Sequence, residues 1–488
     1  MSALFTPPPF AAKHPDKLYL GGEWVAPAGV DRLAVHYPAT GELAVEVAAA
    51  GPADVERAVG LATHAFQGCW PHLPVAERAA VLRRIGVAMR AREIDLAHAV
   101  TLEMGATLKE TLGGVRATAN LFDYYAGLAE SQPDREERPW SGGRAFIAYQ
   151  AVGVIAAIVP WNAPLSLSVL KLAPALAAGC AVVLKPAPTT PLDAILLAEC
   201  FEEAGLPAGV ASVLPGGNDV GDALVRDPRI DKITFTGSTA VGRHIGAIAG
   251  ERIARQALEL GGKSAAIVLD DMAPEEVAAR LVPATMRLTG QACSALTRVL
   301  VPRHRHDAIV EALAATFAAL RPGDPMAETT GVGPLAIERQ RDRVESYIAA
   351  GRAAGAQLAL GGGRPADIAC GWFVEPTVFA RVDNAMTIAR EEIFGPVISV
   401  IPYASEDEAV AIANDSTYGL YASVYSHDED AVWRLAPRLR AGNVSRAGLY
   451  IDRTLPYGGF KQSGVGREGG IEGLRAFQEQ QTLYFPAG

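Results

Sequence analysis

The chain predicts an α/β protein, a doubly wound parallel sheet followed by a second α/β unit. Three observations predict it. From residue 154 onward, short apolar runs alternate with Ala- and Leu-rich stretches of helical period, the pattern of strand–helix units that cover a parallel sheet on both faces. The alternation pauses at Glu259-Leu260-Gly261-Gly262-Lys263 and then restarts. At 488 residues the chain is also too long for one simple core, so two or three domains are expected.

Taken in order, residues 53–67 and 75–104 carry helical periodicity, with Pro74 at a helix start. Val154–Val159 is an apolar strand ending at Pro160. Leu165–Ala178 reads as a helix broken near Pro174, since proline removes an interior donor, and closed by Gly179. Ala181–Leu184 is a buried strand running into Lys185-Pro186, and Pro191–Ala204 a helix stopped by Gly205 and Pro207. Val210–Leu214 and Lys232–Phe235 are further strands, and a helix follows Gly237-Ser238-Thr239.

After Glu259 come strand Ala265–Leu269, helix Pro274–Leu288, strand Arg298–Val301 and helix Asp307–Leu320. The segment 131–149 fits neither alternation. Its extended end, Ala145–Gln150, matches the β-prone tail Thr482–Phe485, and a loop this long inside a compact domain reads as an excursion towards a partner subunit. The expected division is a doubly wound unit over 1–130 and 150–258 and a second α/β unit over 259–461. An oligomerisation element would span 131–149 and 479–488.

A net charge of −10 without a basic block argues against nucleic acid and anionic membranes as partners. No apolar run is long enough to span a bilayer, and the opening residues lack signal-peptide blocks. Five scattered cysteines with no CxxC or Cys/His spacing indicate neither a disulfide framework nor a metal site, and a reducing cytoplasm is expected. His304 and His306 read as a solvated surface.

The chemistry centres on Cys293, in the small, Gly-bounded run Gly290-Gln291-Ala292-Cys293-Ser294. The thiolate is the reactive form, so such a thiol needs a base, and Glu259 at a strand end is the candidate. Asn162, after Pro160-Trp161, is a candidate helix cap. Gly237-Ser238 opens a helix after a strand, where backbone N–H groups and the helix dipole favour phosphate.

Seven runs in order carry a resemblance. They are Pro160-Trp161-Asn162, Lys185-Pro186, Phe235-Thr236-Gly237-Ser238-Thr239, Glu259-Leu260-Gly261-Gly262-Lys263, Gly290-Gln291-Ala292-Cys293, Glu391-Glu392-Ile393-Phe394-Gly395-Pro396 and Pro456-Tyr457-Gly458-Gly459-Phe460-Lys461-Gln462-Ser463-Gly464. Together they resemble the NAD(P)-dependent aldehyde dehydrogenase superfamily. The resemblance implies an aldehyde dehydrogenase-like fold with a Rossmann-type cofactor domain. It implies oxidation of an aldehyde to its acid through a thiohemiacetal and a thioester on Cys293. Glu259 would be the base, Asn162 an oxyanion donor, and Glu468 a proton relay behind Glu259. Trp161, Lys185, Gly237, Ser238, Glu392 and Phe394 would hold the cofactor, with Trp161 under the adenosine side and Phe394 beside the nicotinamide. Arg255, Arg467 and Glu479 would form an ion cluster where subunits of a homodimer or homotetramer meet.

Three departures stand out. Where NAD-preferring members carry Glu, three residues after the lysine, this chain has Pro188; NAD is the cofactor expected and NADP the alternative. The family's usual Gly-Thr-Val-x-x-Asn stretch reads Gly442-Asn443-Val444-Ser445-Arg446-Ala447, which places a charge near the substrate side. Small residues Ala163, Ala292 and Ser294 at pocket positions, with Leu167, Leu170 and Tyr457 as walls, predict a roomy tunnel for a bulky apolar aldehyde, aromatic or terpenoid. The competing readings are a CoA-acylating enzyme, against which Glu259 speaks, an esterase, and a non-catalytic structural protein on the same fold.

Overall fold

The computed structural model describes residues 5–487; Met1–Leu4, part of the opening segment read for a signal peptide, lie outside it. Two mixed sheets dominate, one of eight strands and one of seven. In the first, the strands Val154–Ile158, Ala181–Lys185, Ala211–Val213, Lys232–Thr236 and Arg255–Glu259 are parallel neighbours. Their Val, Ile and Ala side chains are buried on both faces, as a covered parallel sheet requires.

The chain steps from the Val154 strand to Ala181 and Ala211, then returns to place Lys232 and Arg255 on the other side. That reversal is the mark of a doubly wound sheet. Leu18–Leu20 and Glu23–Val25 extend one edge, and the two-residue strand Gly464–Val465 closes the other, antiparallel to the Glu259 strand.

The second sheet carries Ala265–Val268, Arg298–Pro302, Thr377–Ala380, Val397–Tyr403, Tyr421–Tyr425 and Asn443–Arg446 in parallel, with Gln357–Leu360 antiparallel at one edge. A separate three-stranded sheet pairs Arg135–Trp140 with Gly143–Ala151, and Gly143–Ala151 with Gln478–Pro486. The expected match holds, with Thr482 opposite Ile147 and Phe485 opposite Arg144.

Three helical expectations need correction. The 75–104 stretch is two helices, Val75–Ala91 and Glu93–Met104, broken at Arg92. The helix Pro164–Ala178 runs through Pro174 without a break; nearly every residue is buried, so packing on all sides holds the turn that has lost its donor. Pro274–Met286 ends earlier than expected, because Leu288 and Thr289 adopt left-handed φ of 52° and 57°. A 24-residue helix, Leu108–Ser131, was not foreseen. Its start carries a reciprocal capping box between Thr107 and Glu110.

Candidate active site

Strand register selects one edge of the first sheet. Ile158 lies opposite Lys185 and Phe235, and Thr236 opposite Glu259. All four strands are parallel, so their C-terminal ends deliver Pro160-Trp161-Asn162, Lys185-Pro186, Gly237-Ser238 and Glu259 to the same side. The chain reverses between the Val154 and Lys232 strands, and ligands bind in the crevice at such a switch point.

The second unit brings Cys293 to this edge. The left-handed turn at Leu288 and Thr289 ends the preceding helix and starts the loop that carries the thiol. Asn162 Nδ2 donates to the Gln291 carbonyl at 2.8 Å, which joins the two units beside Cys293. The Tyr457 hydroxyl lies 3.8 Å from Sγ. A Cβ on Gly262 would fall 2.2 Å from the Cys293 carbonyl oxygen, so only glycine lets the two backbones approach this closely. Burial pushes the thiol up to about 11, the Glu392 charge adds to this, and the Tyr457 hydroxyl opposes it. At rest the sulfur keeps its proton and needs a base.

Glu259 is buried, and both carboxylate oxygens lack a hydrogen-bond partner among the described residues. Gly458 makes room for it, since a Cβ there would stand 2.7 Å from Oε1. Burial holds its carboxyl well above the usual range; the Glu468 charge reinforces this and Lys171 opposes it. Such a carboxylate is a stronger base than an ordinary one. Glu468 forms a short contact with Lys171 Nζ, which also donates to Thr236 Oγ1 at 2.8 Å. Thr234 Oγ1 approaches the same carboxylate at 3.4 Å.

Around the crevice, Lys185 is buried and its ammonium donates to the Pro186 carbonyl at 3.0 Å. Burial brings it down to about 8, against the nearby charge of Asp219. Ser238 caps the helix Thr239–Arg252 by accepting from Val241 N–H. Glu392 Oε1 accepts from Gly262 N–H at 2.9 Å, and burial raises its carboxyl to about 7. Phe394 sits at a left-handed φ of 63°. Its ring meets Trp161 edge to face, centroids 5.4 Å apart. The Trp161 ring thus lies on the Phe394 side. A buried ammonium short of acceptors, a buried acid and a helix start with free N–H groups on one crevice fit a dinucleotide.

The substrate-side expectation needs the largest revision. A cavity of about 270 Å³ opens onto Asn162 and Ala163. Its wall is the Leu108–Ser131 helix, through Gly114, Val115, Ala117 and Leu121, with Arg287, Leu288, Ile451 and Arg453 opposite. Leu167 and Leu170 belong to the core instead; Leu170 is 1% exposed. Ser294 is buried and, like Ala292, lies outside this lining. Tyr457 is also buried, with its hydroxyl towards the sulfur. Arg446 turns away to the Ser426 and His427 carbonyls.

The ion cluster shrinks to a pair. Arg255 meets Glu479 at 2.5 Å on the surface, while Arg467 donates to the Gly459 and Gly466 carbonyls. Sequence reasoning missed Lys171, Asp219, Arg287 and Arg453. Lys171 had a visible signal, a lone lysine in an otherwise apolar helix.

A thiol, a buried carboxyl and an amide donor converge at the switch point of a doubly wound sheet, an arrangement suited to cysteine-dependent oxidoreduction. The aldehyde dehydrogenase family model matches residues 24–483, and the chain belongs to that family. It is 44% identical to geranial dehydrogenase of Castellaniella defragrans, over 96% of this chain and 98% of the relative. It is 40% identical to a betaine aldehyde dehydrogenase of Brucella melitensis, over 96% and 97%. A Mycobacterium tuberculosis aldehyde dehydrogenase solved with NAD+ superposes with a TM-score of 0.96 at 44% identity, covering 98% of this chain and 99% of that one. A Pseudomonas syringae aldehyde dehydrogenase C mutant, solved with NAD+ and octanal, gives 0.94 at 40%, covering 97% and 98%.

Proposed function

We propose that the protein oxidises an aldehyde to its carboxylic acid with NAD, using Cys293 as nucleophile. Glu259 takes the thiol proton, and Sγ adds to the carbonyl carbon to form a thiohemiacetal. Asn162 Nδ2, already aimed at the Cys293 loop, donates to the developing oxyanion. Lys185, Gly237, Ser238 and Glu392 would hold the nicotinamide dinucleotide, with Phe394 and Trp161 beside it, and when bound it would supply the two-electron acceptor needed to reach the thioester on Sγ. Glu259 then removes a proton from water, which attacks the thioester and releases the acid. Glu468 and Lys171 carry the proton away from Glu259.

The observation that carries this reading is the buried, unpartnered Glu259 carboxylate beside the thiol's crevice. Asp219 supports NAD over NADP. It supplies a negative charge next to Lys185, where Pro188 leaves none, and would repel a 2′-phosphate. The cavity's aliphatic wall and the kinship with geranial dehydrogenase support a substrate with an apolar body.

We further assign 1–130 and 150–258 to the cofactor domain, 259–461 to the catalytic domain, and the three-stranded sheet to self-association in the cytoplasm. No helix among the described residues is long and apolar enough to cross a membrane. Exposed Trp140, Tyr484 and Phe485 on that sheet support a second copy as its partner. The test is reduction of NAD by an aldehyde panel without CoA. Turnover that survives Cys293→Ala, or that requires CoA, would overturn the reading.

A further inference from the structure

The cavity in front of Asn162 is charged. Two guanidinium groups open into it, Arg287 from the turn before Cys293 and Arg453 from the loop before Tyr457. Arg453 Nη1 is buried with no hydrogen-bond partner among the described residues. Its Cζ stands 5.1 Å from the Tyr457 ring centroid, and that tyrosine's hydroxyl is 3.8 Å from Cys293 Sγ. Arg287 is open to the cavity itself. Arg287 is solvent-exposed, yet the protein packed around it and the like charge of Arg453 hold its guanidinium below the usual range, against the charge of Glu110.

Glu110 lines the same cavity and offsets one of the two charges. Its Oε1 accepts the Leu288 N–H at 3.0 Å and its Oε2 accepts the Thr107 hydroxyl at 2.9 Å. With one carboxylate, Glu110, against two guanidinium groups, Arg287 and Arg453, the lining of this cavity carries a net positive charge. Buried donors without acceptors are rare in native structures, and two like charges sharing a small cavity repel. An anion seated between them offsets the repulsion. The planar fork of arginine matches a carboxylate in two-point geometry, and charge-assisted bonds of this kind are the strong ones.

We propose that the substrate aldehyde carries a carboxylate that docks between Arg287 and Arg453 while its carbonyl reaches Cys293. This deepens the dehydrogenase reading and rests on it. The apolar wall through Val115, Leu121 and Ile451 holds the body between the two ends. A cavity of about 270 Å³ lies just below the ~300–1,000 Å³ of drug-sized pockets, so that body is a single ring or a short chain. The same charges reject an aldehyde bearing a quaternary ammonium, and specificity comes as much from that repulsion as from the attraction.

The test compares 4-carboxybenzaldehyde, its methyl ester and 4-trimethylammoniobenzaldehyde as substrates of the full-length enzyme with NAD, in the parent and in Arg453→Gln and Arg287→Gln. A charge-assisted contact corresponds to at least about tenfold. The carboxylate should exceed the ester by that factor in kcat/KM, mainly through KM, with the ammonium compound slowest. The carboxylate-to-ester ratio should fall about tenfold or more in each variant, and Arg453→Lys should recover part of it. Equal or faster turnover of the ester or ammonium compound by the parent, or an unchanged ratio in both variants, would overturn the proposal. Calorimetric binding of terephthalate to Cys293→Ala is independent of turnover: binding lost on adding Arg453→Gln supports the anion site, and no binding refutes it. If no aldehyde reduces NAD, the dehydrogenase reading fails while this measurement still decides the site.

Discussion

The Lys171–Glu468 pair offers the sharpest perturbation. Lys171 is 0% and Glu468 6% exposed in their side chains, and Lys171 also holds Thr236 Oγ1 at 2.8 Å. Replacing Lys171 with Met leaves a buried carboxylate without its cation, which costs about 3–5 kcal/mol of stability. Glu468→Gln removes the charge from the other side, and the double variant should recover at least about 2 kcal/mol, the signature of direct coupling. Kinetics should then split by sign. The charge of Glu468 raises the Glu259 carboxyl and that of Lys171 lowers it. Loss of Lys171 therefore moves the base limb of the kcat/KM pH profile to more alkaline pH, and loss of Glu468 moves it to more acidic pH. Denaturant unfolding and pH profiles of the three variants measure both effects. Limbs that move in the same direction, or stay fixed while stability falls, would show that the pair only fills space.

Other outcomes are expected from the same geometry. Asn162→Ala should lower kcat about 10²–10³-fold in aldehyde oxidation, as for loss of one oxyanion donor. Asp219→Ser should shift the NADP-to-NAD ratio of kcat/KM upward by about tenfold, measured side by side, because it removes the charge beside Lys185. Glu103 and Asp193 form a buried carboxyl pair in which burial raises Asp193 to about 7 and holds Glu103 well above its usual range. A raised carboxyl favours the fold at low pH, and that contribution is lost as pH rises through about 7. Asp193→Asn should therefore melt higher than the parent at about pH 9, with the gap closing towards about pH 5.

Much of the first sheet was legible because short apolar runs bounded by Gly and Pro leave little choice of element. Cys293 and Glu259 stood out because each sits in a run whose glycines admit close backbone approach, as Gly262 does at Cys293. The Leu108–Ser131 helix went unread even though Thr107 and Glu110 spell its capping box. The lining of the cavity before Asn162 was missed for a related reason. Leu167 and Leu170 share the crevice-bearing helix with Asn162's neighbours, but they face inward, and periodicity alone does not say which side meets the ligand. Arg287 and Arg453 converge from segments 166 positions apart in the chain, so no local pattern announces that they meet. Pro174 misled in the opposite direction, because packing outweighed a local preference.

The antiparallel strand Gly464–Val465, set against Leu258 and Glu259, has a consequence for biosynthesis. A ribosome must release about 205 further residues after Glu259 before that strand acquires its neighbour on this side. Until then its edge is exposed and the base has no fixed position. Nascent chains would therefore hold a reactive thiol without a competent base, and they present an open edge that chaperones or aggregation can capture.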